Sequence, residues 1–162
     1  MDLNPFFADI APALAGDAGI SDLCQAEYGR EVKVYMNYDA RHPPGADDCP
    51  AVCVYPAEKS YGGDTYHDAI ECVCLVHDDR AEEAYMGHDN VVGYAGVRHA
   101  ESLRKAALRV ISDRVAQTVS GQIDEIAVDY DTITQFPYIY AAMAVAISES
   151  WTMGSGNPAE NQ

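Results

Sequence analysis

Apolar residues recur along this chain with two different periods, and the changes of period divide it into elements. Near the N-terminus Phe7, Ile10 and Leu14 share one face of a 3.6-residue repeat. They follow Asn4-Pro5, an asparagine suited to an N-cap and a proline suited to a first helical turn. Pro12 removes a backbone donor inside the repeat, so the predicted helix is short or kinked and ends near Gly16. Ser21-Asp22 predict the cap of a second short turn through Ala26, stopped by Gly29. Across residues 31–36, Val32, Val34 and Met36 fall on one side, which is the period of a strand.

Residues 38–49 hold His42-Pro43-Pro44-Gly45 and Asp47-Asp48 and read as a loop. Residues 51–55 form a short β-rich run fenced by Pro50 and Pro56, a placement suited to strand ends or a sheet edge. Gly62-Gly63 predicts a turn within residues 59–65. Residues 66–77 carry the clearest alternation, with Ile70, Cys72, Cys74 and Val76 expected toward the core and Ala69, Glu71, Val73, Leu75 and His77 away from it. Residues 78–96 are polar and acidic, and a loop of that length is expected to be functional or mobile.

Helical spacing returns in residues 98–119 through Leu103, Ala107, Val110, Ile111, Val115 and Val119, with Gly121 near the expected C-terminal end. In residues 123–130, Ile126 and Val128 alternate with Glu125 and Asp129. Residues 136–151 are apolar on both faces: Tyr138, Tyr140, Ala142, Ala144 and Ala146 on one, and Ile139, Met143, Val145 and Ile147 on the other. Such a strand is expected to be covered on both sides. Residues 152–162 read as a disordered tail. The order predicts one α+β domain over residues 1–151, a mixed or antiparallel sheet with a long helix and a short N-terminal helix packed against it.

Charge sharpens this picture. The 162 residues include 26 acids and 10 bases, for a net charge of −16. That balance disfavours binding to nucleic acid or to an anionic membrane surface. Half of the bases, Arg98, Arg104, Lys105, Arg109 and Arg114, ride on the long helix. Acids gather at Asp47 and Asp48 and again at Asp78, Asp79, Glu82 and Glu83. This segregation favours a self-associating subunit, and Asp47, Asp48, Asp78, Asp79, Glu82, Glu83, Arg98, Arg104 and Lys105 are the expected subunit-interface or lumen residues. Tyrosine, with 11 residues, adds side chains suited to interfaces or to half-buried strands. The longest apolar run, residues 138–147, is too short to cross a bilayer. An odd set of five cysteines does not read as a disulfide framework, so a reducing cytosol is expected.

Candidate chemistry is sparse. Cys49, Cys53, Cys72 and Cys74 admit a zinc reading, but Cys72 and Cys74 sit within a strand rather than a turn, and all four suit core packing. His77-Asp78-Asp79 with His88-Asp89 could collect a divalent cation and serve a small metal-dependent hydrolase, although the spacing matches no familiar cage. Ser60, Ser102 and Ser112 occupy no nucleophile elbow, and Gly87, Gly93 and Gly96 match no phosphate-binding fingerprint. The expectation is no catalytic residue, no metal and no cofactor. An acidic adaptor for a basic partner stays open beside the hydrolase.

The layout from Cys49-Pro50-Ala51-Val52-Cys53-Val54 onward resembles small phage tail-completion proteins of the tail terminator family. The resemblance lies in the Pro-led strand at residues 50–55, the long strand at 69–77, the run Ala100-Glu101-Ser102-Leu103-Arg104-Lys105-Ala106, and the closing strand at 137–149. It covers residues 4–151, as an order of elements rather than a set of invariant residues. The loop at 78–96 is longer than the family pattern leads one to expect. The resemblance implies a structural prophage or phage subunit that forms a homo-oligomeric ring, a hexamer, at the head-proximal end of the tail tube. Its partners would be itself, tail-tube proteins and head-connector proteins, with DNA passing through without being bound. It would be found in the host cytoplasm during assembly and then in the virion tail.

Overall fold

A computed structural model describes residues 2–37, 41–62, 65–82 and 85–150. Glu83 and the predicted tail at 152–162 lie outside the described residues. The elements are α1 (Asn4–Ala15), α2 (Ala18–Tyr28), β1 (Lys33–Met36), β2 (Ala51–Gly62), β3 (Thr65–His77), β4 (Ala81–Glu82), β5 (Gly93–Tyr94), α3 (Ala95–Thr118), β6 (Gln122–Asp131) and β7 (Tyr138–Ser150). Five strands form one sheet in the order β1-β2-β3-β7-β6. β1 runs parallel to β2 and the other neighbours are antiparallel. The fold is therefore α+β with a mixed sheet and the long helix packed on it, as the periodicities predicted.

The three helices share one face of the sheet. Phe6, Ile10 and Leu14 of α1, Ile20 and Cys24 of α2, and Leu103, Ala107 and Ile111 of α3 close over Val52, Val54, Ile70, Cys72, Cys74, Val76, Ile139, Ala141, Met143, Val145 and Ile147. The buried face of α1 begins at Phe6 rather than Phe7, because positions four apart lie over one another on a helix. Asn4 does not cap α1. Its backbone N–H instead donates to Asp2 Oδ1 at 2.9 Å, and Pro12 is held inside the helix. α2 begins earlier than Ser21, capped by Asp17, whose carboxylate accepts from the Ile20 N–H at 3.0 Å. Gly29 ends it at φ 64°, a left-handed turn that glycine adopts without steric cost.

Pro56 does not end its strand. β2 runs past it with a bulge between Pro56 and Glu58, and it lies inside the sheet, between β1 and β3. A bulge accommodates proline's missing donor. The stretch from 78 to 94 is not a plain loop, since β4 and β5 pair within it as a two-stranded ribbon and α3 begins at Ala95.

Only one face of β7 is fully buried. Ile139, Ala141, Met143, Val145 and Ile147 lie under the helices, whereas Tyr138, Tyr140, Ala142, Ala144 and Ala146 are half-buried on the face without helices. A small cluster of Cys49, Ala51 and Leu75 with Tyr35, Tyr138 and Tyr140 is the main apolar packing there.

Candidate functional site

The bases of α3 are answered within the chain. Arg98 makes a two-pronged contact with Glu82 at 3.0 and 2.7 Å. Arg104 reaches Glu101 at 2.7 and 2.8 Å, and Lys105 reaches the same carboxylate at 3.2 Å. Arg109 pairs with Asp17 at 2.7 Å and Arg114 with Asp9 at 2.6 Å. Hydrogen bonds from Arg104 are the main reason the Glu101 carboxyl is pulled down to about 2. Charges that are segregated along the sequence are thus neutralised in space, and Arg98, Arg104 and Lys105 already hold partners of their own chain.

The acids fall in different settings. Asp47 is exposed, while Asp48 pairs with Lys33 at 2.5 Å and accepts from the Gly45 N–H at 3.0 Å. Asp79 is exposed and Glu82 holds Arg98. Asp78, by contrast, is buried. Its Oδ1 accepts from the Arg80 backbone N–H at 3.1 Å and from Arg80 Nε at 2.9 Å. Its Oδ2 accepts from Arg80 Nη2 at 2.6 Å and from the Tyr28 hydroxyl at 3.2 Å, and lies 3.2 Å from His99 Nδ1. The other ring nitrogen of His99 lies 3.0 Å from Glu27 Oε2. Burial alone would raise the Asp78 carboxyl, but the donors from Arg80 and His99 outweigh it and hold it well below the usual carboxylate range. Burial, then the Asp78 charge, pushes the Tyr28 phenol up. This network ties α2, the end of β3 and the start of α3 together and pins the β4–β5 ribbon.

Of the residues on which a metal reading rests, His77 and Asp78 are engaged elsewhere, while Asp79, His88 and Asp89 are exposed. His77 packs edge-on against Tyr138, with ring centres 4.8 Å apart, and Asp78 is fully engaged. Among the described residues no group of three or more His, Cys, Asp or Glu side chains gathers as a metal cluster. The cysteines are separated by the sheet: Cys72 and Cys74 belong to the core under the helices, and Cys49 to the small cluster on the opposite face.

One surface stands apart from this neutralised framework. β6 is the outer strand of the sheet, so among the described residues one side of its backbone has no strand neighbour. Ile126, Val128 and Tyr130 point toward the helix side, opposite the buried Val145, Met143 and Ala141, yet remain exposed. The strip continues through Ile133, 82% exposed, and Phe136, whose ring meets Tyr94 edge-on at 5.3 Å. Beside it opens a cavity of about 330 Å³ lined by Tyr94, Val97, Ile133, Phe136 and Ile139. The Tyr130 hydroxyl donates to Glu101 Oε2 at 2.7 Å and bridges strand to helix at the margin. None of these apolar residues is among the charged positions predicted for an interface. The alternation Ile126, Val128, Tyr130 is legible in the sequence, but periodicity marks a face without saying whether anything covers it.

The chain matches no protein-family model and no curated protein. Among the described residues no helix is long and apolar enough to cross a membrane.

Proposed function

We propose that this chain is a self-assembling structural subunit of a phage or prophage tail, resembling a tail terminator, that forms a ring at the head-proximal end of the tail tube. The observation that supports it most directly is the free β6 edge with its apolar strip. Edge strands are ordinarily blunted by charge, proline or a covering element, because open backbone groups recruit further strands. β6 carries such charge at Asp124, Glu125, Asp129 and Asp131, yet Ile126 and Val128 on its helix side, and Ile133 and Phe136 beyond it, are left open. A ring needs one surface of each copy to meet a different surface of the next, and a single apolar edge is suited to such a head-to-tail contact. The surplus of acids would line a passage that does not retain a polyanion. The further expectations are a hexamer, contacts with tail-tube and head-connector proteins, and DNA that passes without binding.

Light scattering on fractions from size-exclusion chromatography tests the reading. Oligomers that grow with concentration and vanish in Val128→Lys, with thermal stability unchanged, are expected. A strict monomer at high concentration, with and without a divalent cation, overturns it.

A second reading, an acidic adaptor for a basic partner, is favoured by one observation. The α3 bases are taken up by acids of the same chain, so the excess of negative charge is left facing outward. Its mark would be capture of basic partners that is lost at high salt.

A further inference from the structure

The core face of β3 has one residue that breaks its pattern. Tyr66, Ile70, Cys72, Cys74 and Val76 are all buried and apolar or nearly so, and Asp68 stands among them only 3% exposed. In the ladder it lies between Lys59 of β2 and Ile147 of β7. Its Oδ2 is the one buried side-chain oxygen or nitrogen atom without a hydrogen-bond partner among the described residues. An unpartnered buried carboxylate opposes folding, and local choices that oppose the fold concentrate where a protein binds something. Burial raises the Asp68 carboxyl above its ordinary value, and the Lys59 and N-terminal charges offset this only in part.

Asp68 lines a cavity of about 710 Å³ between the start of α1 and the β2–β3 hairpin. Leu3, Phe7 and Pro56 supply apolar wall. Among the described lining residues the charged groups are three carboxylates, Asp2, Glu58 and Asp68, and the ammonium of Lys59, and the N-terminal ammonium also bears on Asp68. The site is thus acidic despite these cations. No trio of carboxylates gathers closely enough among the described residues to hold a metal ion. A lone free acceptor beside apolar wall suits instead a hydrogen-bond donor carrying one positive charge on a short hydrocarbon stem.

We propose that this cavity binds an alkylammonium or alkylguanidinium group, the head on the Asp68 carboxylate and the stem against Leu3, Phe7 and Pro56. The group belongs either to a free amine or to a lysine or arginine side chain of a partner protein. The proposal is independent of the β6 edge and of assembly through it.

Calorimetric titration of the whole chain with n-butylammonium, n-butylguanidinium and a glycine-flanked single-arginine peptide tests it, with Asp68→Asn and Glu125→Gln in parallel. Glu125→Gln removes the same charge from the outer strand β6, on the face of the sheet opposite Asp68. Saturable binding to the wild type is expected, weakened at least about tenfold in Asp68→Asn, a loss of about 1.4 kcal/mol, and unchanged in Glu125→Gln. Asp68→Asn is also expected to melt at a higher temperature, since it removes an unpaired buried charge. Tighter binding of the peptide than of the small cations assigns the site to a partner side chain; equal binding assigns it to free amines. Absence of saturable binding by all three probes, equal loss in Glu125→Gln, or a lower melting temperature for Asp68→Asn overturns the proposal.

Discussion

Asp78, the first residue after β3, and His99, in the second turn of α3, meet at 3.2 Å between Oδ2 and Nδ1. Their pairing across the β4–β5 ribbon, with Arg80 and Tyr28 on the same carboxylate, makes a buried charge network the anchor of a segment otherwise rich in exposed polar residues. The whole carboxylate is satisfied, so its loss leaves His99 and Arg80 facing a gap.

Asp78→Ala is therefore expected to destabilise the fold by about 1–3 kcal/mol, since it takes the hydrogen-bond acceptor from buried His99 and half-exposed Arg80. Chemical denaturation measures the loss, and limited proteolysis should cut within residues 78–94 first. The pH dependence follows from the sign of the shift. A carboxyl held below its unfolded value of about 3.9 contributes its full stability at neutral pH, and the contribution is lost as pH falls through and below that value. In the wild type the acid limb of the stability curve should steepen there, and in Asp78→Ala that part of the slope should be missing.

At Gly96, α3 packs tightly against Ile139 of β7 and against Asp78. A Cβ at this position would lie 2.5 Å from Ile139 Cδ1 and 2.8 Å from Asp78 Cβ, well inside contact distance. Gly96→Ala is expected to cost about 1–3 kcal/mol through overpacking. The thermal midpoint reads the loss, and because Asp78 is one of the atoms struck, the variant should also show the proteolytic signature of Asp78→Ala.

The five cysteines are all free and buried. Burial raises the Cys24 thiol to about 11 and, with lesser contributions from neighbouring charges, those of Cys49 and Cys53 to about 12. Thiolate is the reactive form, so native protein at pH 8 should resist a colourless-to-coloured aromatic disulfide reagent. All five thiols should react within minutes once denaturant is added. Fast reaction of any of them in the native state would contradict this packing.

Much of the architecture was legible because periodicity survives in single elements. The alternation of Ile70, Cys72, Cys74 and Val76 placed β3 and its inner face correctly, and the spacing of Leu103, Ala107 and Ile111 did so for α3. Errors fell where a local signal has two readings. Pro56 marks the end of a strand or a bulge within one, and only the pairing of β2 with β3 distinguishes them. Ser21-Asp22 and Asp17 are all competent caps, and the choice of Asp17 goes with its contact to Arg109, 92 residues away.

The candidate sites were less legible for a physical reason. Charge along a sequence shows how much of each sign is present, but not which groups meet; Arg98, Arg104 and Lys105 looked available and are held by Glu82 and Glu101. Asp68 sat in plain view on the inner side of an alternating strand, but a polar residue near a strand end is unremarkable until its depth and lack of a partner are known.

By itself, then, the order and period of apolar residues determined the α+β class, the long helix and the central strands, because each depends on residues within a few positions of one another, and composition alone determined the acidic character of the chain. The tertiary structure alone decided that β6 lies uncovered at the sheet's edge, that Asp78 and His99 close a buried network, and that Asp68 opens onto a cavity without a partner. Those three outcomes depend on which distant surfaces come together, and pairing at a distance is set by the packing of the whole core rather than by any local pattern.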